Sequence, residues 1–392
     1  MPTPANSTHP LQRLGHLPLS SALRGLEPAP AGSGLVVTAT VAVPDTPVSR
    51  SDAWQVAWAD AARAAAQLGA DPDTAKALER GAGTAAAGRT RVVVAAYGQV
   101  VLAWWLPAGV DTSAEPVRVG AVPHLLRVAD AAARRPAYVV LLTDRDGTDI
   151  VSHPAGDQVP GIRLEPGNRP GSQPDPHPGR PPALHHGERH LTDREPESGG
   201  QRNDEFIAAR VAEAADSVGA HIILGAGDQH ILQAVSGHLP AATGPVTALA
   251  GGRAADGRDD HLSAENSAAF STITDATVSE LADLVSSATG GTNGAAVRGA
   301  REVAGQLAEQ QVAVLLVAAD IAETVHDATY RIGSLPTELL PDGEGAGVEV
   351  PLEDGLVWAA LHQDAIVVAL PDRSGVLAGE PVAALLRRGV AG

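Results

Sequence analysis

The chain has 392 residues, 44% of them hydrophobic, which is enough for two or three domains with cores of their own. It contains no cysteine, which excludes disulfides, thiol catalysis and cysteine-ligated metal and fits a reducing compartment. With 28 basic against 46 acidic residues the formal net charge is −18, so any contact with a phosphate backbone has to come from local basic patches.

No apolar run approaches the roughly 20 residues of a membrane span, and no membrane partner is expected. Met1 to Ser20 shows no positive start followed by an apolar stretch, so a signal peptide is not expected and a cytoplasmic location is. Lys76 is the single lysine; an Arg- and Ala-rich chain points to a GC-rich genome more than to a function.

After a polar, Pro-containing start, Gly34 to Val41 reads as a strand. Ser51 or Asp52 is expected to cap a helix bearing Trp54, Val56, Trp58, Ala62 and Ala65. Trp54 and Trp58 lie four apart, on one helical face, and such a stripe is expected to pack into a core rather than to form a ligand platform. Asp71-Pro72 opens a second helix. Arg91–Tyr97 and Val100–Leu106 read as a hairpin through Gly98-Gln99, and His124 to Arg134 as a helix.

Ala137 to Leu142 is a buried-strand run, and Asp144-Arg145-Asp146-Gly147 turns it back into Thr148 to Val151. The pattern then breaks. From Pro154 to Arg202 there are ten prolines and eight glycines with almost no apolar period, a length of loop that is usually functional or disordered. Order resumes where Asn203 or Asp204 is expected to cap a helix carrying Ile207, Val211, Ala214, Ala215 and Val218, ended by Gly219. His221 to Leu224 is a strand running into Gly225-Ala226-Gly227-Asp228, and Gln229 to Gly237 a helix. This βαβα order implies a parallel element in the sheet.

Further on, Asp275–Ser287 and Gly294–Gln310 read as helices, the second with Val297, Ala300, Val303, Ala304 and Leu307 on one face. Val312–Val317 and Ala365–Leu370 are strands, Pro341–Gly347 is a Gly-rich loop, Leu356–His362 a helix, and Val382 to Leu386 a closing segment. The fold class is α/β: three consecutive α/β units, the middle and C-terminal ones being mixed sheets flanked by helices. The expected divisions are an N-terminal domain over 1–134, a middle domain over 135–255 with the long loop at 154–202, and a C-terminal α/β/α domain over 256–392.

Three stretches in this order resemble the archaeo-eukaryotic class-1 release factor and Pelota superfamily, in particular its bacterial branch found in actinobacteria. They are the hairpin from Tyr138 to Ile150, the run from Gly199-Gly200-Gln201 through Ile222 to Asp228, and the C-terminal half. In the last, Leu315-Leu316-Val317 and Ile366-Val367-Val368 flank a helix and Gly379 to Arg387 closes the domain. The resemblance covers about residues 135–390; the N-terminal unit matches in size and placement.

The resemblance implies a ribosome-associated translation factor acting near the A site in rescue, hibernation or quality control. Its expected partners are ribosomal RNA and tRNA, with room for a protein partner. It implies further that Gly199, Gly200 and Gln201 form the loop that triggers peptidyl-tRNA hydrolysis in the catalytic members. Two glycines let the backbone come close to a reacting ester. The glutamine amide does not titrate, so its part is to place water beside a backbone N–H that stabilises oxyanion charge. Here Glu195 and Glu197 precede the tripeptide, and 154–202 holds six Arg against seven acids, unlike the family's basic loop. The N-terminal unit also lacks Asn-Ile-Lys-Ser, so stop-codon reading is not implied.

Other constellations point to structure. His177, His185, His186 and His190 with Asp175 and Glu188 have the donor types of a zinc site, yet Pro181 and Pro182 argue against a helix that would gather them. Gly225-Ala226-Gly227-Asp228 lacks the third glycine of a dinucleotide fingerprint and the lysine of a P-loop. No Gly-x-Ser-x-Gly elbow occurs in a strand-to-helix setting. Asp256-Gly257-Arg258-Asp259-Asp260 reads as a solvated loop. Neither a cofactor nor a metal is expected. A different class of reading remains open, a cytosolic module that binds a small ligand or a protein.

Overall fold

The computed structural model describes residues 10–14, 23, 26–29, 35–43, 50–85, 89–106, 116–143, 148–153, 155, 189–191, 200–240, 243–249, 260–289, 294–321, 329–333, 335–341, 347–370 and 377–389. It divides into two compact units, one of Met1–His16 with Arg134–Thr277, the other of Leu17–Ala133 with Val278–Gly392.

In chain order, strand β1 (Val36–Ala42) is followed by helices α1 (Arg50–Gln67) and α2 (Pro72–Gly81). Next come strands β2 (Thr90–Ala96), β3 (Gln99–Leu106) and β4 (Val117–Gly120), then helix α3 (Leu126–Ala133). Together the strands make an antiparallel sheet in the order β3-β2-β1-β4. Helix α1 starts at Arg50, so Ser51 and Asp52 lie in its first turn rather than at its cap. Asp52 is suited to that place by the helix dipole. Trp54, Trp58, Ala61 and Ala65 form its buried stripe, while Val56 points to solvent. Trp54 meets Trp58 edge-on at 5.6 Å and stacks on Trp105 at 5.8 Å, so the tryptophan pair is core. The hairpin turns at Tyr97-Gly98, one residue earlier than expected. Both residues have positive φ, the geometry whose twist suits a two-residue hairpin.

In the other unit, strands β5 (Tyr138–Thr143), β6 (Thr148–His153) and β7 (Arg189–Leu191) precede helix α4 (Gly200–Val218). Strand β8 (Ile222–Gly227), helix α5 (Gln229–His238) and strand β9 (Val246–Ala248) follow. The sheet runs β7-β6-β5-β8-β9. Its β7, β6 and β5 pairings are antiparallel and its β5–β8 and β8–β9 pairings parallel, as the βαβα order requires. On one face, Val139, Leu141 and Ile223 bury against Ile207, Ala208, Val211 and Ala215 of α4. The expected turn at 144–147 lies outside the described residues, as do most of residues 154–202; within that loop, Arg189–Leu191 is a strand.

Helix α6 (Asp260–Thr289) contains the point at which the two units divide. It reaches back beyond the expected Asp275 and takes Asp260 as its first residue, so Asp260 heads a helix rather than ending a loop; 256–259 lie outside the described residues. Strand β10 (Ala296–Arg298) and helix α7 (Ala300–Ala308) occupy the stretch expected to be one helix. Gly299, at φ 89°, separates them, because that conformation belongs to neither regular element. The remaining elements are strand β11 (Val312–Ala318), the small sheet of β12 (Thr329–Ile332), β13 (Leu339–Pro341) and β14 (Val348–Pro351), helix α8 (Leu352–His362), and strands β15 (Ile366–Leu370) and β16 (Val382–Leu386). The main C-terminal sheet is mixed, in the order β10-β16-β11-β15, with β11 and β15 parallel.

Candidate functional site

Of the expected catalytic tripeptide, Gly199 lies outside the described residues, while Gly200 and Gln201 are the first two residues of α4. The helix therefore begins ahead of Asn203 and Asp204, which were expected to cap it. Both stand inside the helix, Asp204 beyond its first turn. A helix start leaves backbone N–H groups without partners inside the helix. Of the His-rich cluster, His177, His185 and His186 lie outside the described residues, and His190 sits in β7 opposite Asp149.

The turn from Gly225 to Asp228 is explained by packing. A Cβ on Gly225 would stand 2.6 Å from Val246 Cγ1 and 2.8 Å from Leu232 Cδ2. At Gly227, φ is 119° and a Cβ would lie 1.7 Å from the Thr143 carbonyl oxygen. The backbone N–H of Asp228 donates to Thr143 Oγ1 at 3.0 Å, and Asp228 Oδ1 caps α5 by accepting from His230 N at 2.8 Å. Glycine is needed here for the close approach of two strands, without any phosphate.

A second polar cluster joins residues 230 positions apart. His124, in the connection between β4 and α3, donates from Nδ1 to Asp354 Oδ1 at 2.7 Å and lies 3.5 Å from Glu353 Oε1. Glu353 and Asp354 form the first turn of α8, where negative charge suits the helix dipole. Arg118 Nη1 is 3.1 Å from the same Nδ1. With that proton directed at Asp354, the arginine acts on the ring as a nearby charge. Burial pushes the His124 pKa down, but the hydrogen bond and charge of Asp354, with the charge of Glu353, outweigh it and leave the pKa raised. Burial holds Glu353 above the ordinary carboxylate range. One histidine and two carboxylates are the donors of a metal site. The 2.7 Å contact, however, is a charge-assisted hydrogen bond, and Arg118 already supplies positive charge.

Sequence reasoning missed this cluster because its halves are far apart in the chain. The signal was present in Leu352 to Leu361, where two adjacent acids sit in an otherwise apolar helix buried along its whole length. Carboxylates buried in this way need partners.

Residues 137–291 match the family described as bacterial archaeo-eukaryotic release factor family 2. That segment is the part of the chain similar to this family. It spans about two-fifths of the chain and takes in the whole sheet from β5 to β9, with Gly199-Gly200-Gln201 inside it. Of the stretch from 135 to 390 expected to resemble release factors, the match covers the middle of the chain. No curated protein matches the chain. Among solved structures, Archaeoglobus fulgidus Pelota is 14% identical over 78% of this chain and 81% of its own, with a TM-score of 0.32. An archaeal Pelota, in a structure described as a model of ribosome-bound Pelota and ABCE1, is 13% identical over 97% and 98%, with a TM-score of 0.38. Dom34 of S. cerevisiae, described as a translation termination-like factor interacting with Hbs1, is 8% identical over 74% and 73%, with a TM-score of 0.33. At scores below 0.5 these likenesses carry no weight for the fold or the site.

Proposed function

We propose that the protein is a ribosome-associated translation factor of the release-factor-like family, working in the cytoplasm near the ribosomal A site in rescue, hibernation or quality control. The observation that carries this reading is the family match over 137–291, which coincides with a complete sheet rather than a scattered motif. Among the described residues, no helix is long and apolar enough to cross a membrane. In this reading the three parts, 1–134, 135–255 and 256–392, share the docking, and ribosomal RNA, tRNA and a protein partner are the surfaces met. With a net charge of −18, binding must rest on local arginine clusters and so must weaken with salt. Co-sedimentation with ribosomes across a salt series is the test. The protein should pellet with ribosomes at low salt and leave that fraction as salt rises. A protein that never enters it is instead a cytosolic ligand- or protein-binding module.

A second reading adds peptidyl-tRNA hydrolysis through Gly199, Gly200 and Gln201. It is favoured by the position of Gly200 and Gln201 at the head of α4, where backbone N–H groups and the positive end of the helix dipole suit a developing oxyanion. Gln201→Glu should cut peptide release from ribosomes by about 100-fold, on the scale of misplacing a reacting group. Release equal to that of the wild type sinks the catalytic reading and leaves the docking reading standing.

A further inference from the structure

We propose that His124 is a proton-dependent clamp fixing the N-terminal sheet against the head of α8. The inference is independent of the ribosomal reading. The residue is placed to do this by both its backbone and its ring. Its backbone N–H donates to Thr38 Oγ1 on β1 at 3.0 Å, which ties residue 124 to the sheet. Its ring Nδ1 donates to Asp354 on α8 at 2.7 Å. One side chain thus links strands coded near the start of the chain to a helix coded near its end, inside a single compact unit.

The charges around the ring come from each element packed against it. Asp354 and Glu353 reach it from α8 and Arg118 from β4, while Arg127 on α3 acts on Glu353. With His124 protonated, the two carboxylates face His124, Arg118 and Arg127. When the ring loses its proton, the buried acids keep Arg118 and Arg127 but lose the cation hydrogen-bonded to Asp354. Removing one partner from such a cluster costs far more than a surface pair is worth. The histidine pKa is raised in the folded state, so its stabilising contribution is complete below about pH 6.5 and is lost as pH rises through the folded value. Glu353 is also raised and acts with the same sign, its contribution fading as pH climbs through its own range.

His362, at the other end of α8, shows what the carboxylates add. Its Nδ1 donates to the Trp358 carbonyl oxygen at 2.9 Å and its ring lies 4.0 Å from the Trp358 ring. Burial holds its pKa below the ordinary value, so it stays neutral where His124 changes charge. Two histidines flank one helix, and only the one facing Asp354 and Glu353 titrates as a clamp.

The absence of native cysteine makes the test direct. Gln55→Cys on α1 and Glu309→Cys just beyond α7 place one spin label on the N-terminal part and one on the C-terminal part of the full chain. Both positions are exposed. Distances would be measured at about pH 5.5 and about pH 8.5, either side of the histidine range. The otherwise native chain should give one narrow distance at the lower pH and a second, longer population at the higher. His124→Gln, neutral throughout, should give the same distribution at both. If that variant does not fold, Asp354→Asn keeps the side-chain shape and should likewise remove the pH response. A native distribution unchanged across the range overturns the proposal, and so does a variant that responds to pH as the native chain does.

Discussion

In the middle sheet, β5 and β8 lie side by side, and Gly227 sits against the Thr143 carbonyl at a point no side chain could share, while Gly225 packs under Val246 and Leu232. In the other unit, the N-terminal sheet meets the C-terminal half through α3, and polar contacts that cross include His124 to Asp354 and Asp130 Oδ1 to the backbone N–H of Ala369 at 2.9 Å. The first arrangement relies on backbone fit between neighbouring parallel strands. The second relies on contacts between residues more than two hundred positions apart. The family match covers the first region and only residues 278–291 of the second. The difference suggests that the middle sheet tolerates change least in its glycines, while the joined halves depend on a few polar partners.

Gly227→Val is the hardest blow to the first region. It forces a branched side chain onto a φ of 119° with a carbonyl oxygen in its place, at a cost of about 3 kcal/mol or more. Hydrogen exchange should show β5 and β8 losing protection while β11 and β15 keep theirs. Equal loss in both sheets would mean that the two units do not behave as separate bodies. Asp130→Ala probes the second region more gently. Strand β15 is the edge of its sheet, and Asp130 accepts from one of its outward N–H groups. Removing the acceptor should cost about 1–3 kcal/mol, read as a lowered denaturation midpoint with faster exchange at Ala369. Unchanged exchange at that amide would show that the contact is not held in solution.

Much of the fold was legible in the sequence. Buried-strand runs such as Tyr138 to Thr143 and Ile366 to Leu370 announce themselves by unbroken apolar, β-branched composition, and the stripe of Trp54, Trp58 and Ala65 by its helical spacing. Three features were not. The break at Gly299 depends on a positive φ that a helical apolar period conceals. The start of α4 at Gly200 runs against the low helix propensity of glycine, which tertiary context overrides. The His124 cluster depends on a pairing that no local pattern encodes. The Gly-Gly-Gln tripeptide was legible as a motif, and what the structure adds is that its last two residues open a helix of 19 residues.

Pelleting through a sucrose cushion separates a ribosome-bound protein from a free one. The full chain should sediment with ribosomes at low salt, and the bound fraction should fall steeply as salt rises, as binding built on phosphate contacts does. A protein that stays in the supernatant at every salt concentration would contradict ribosome association.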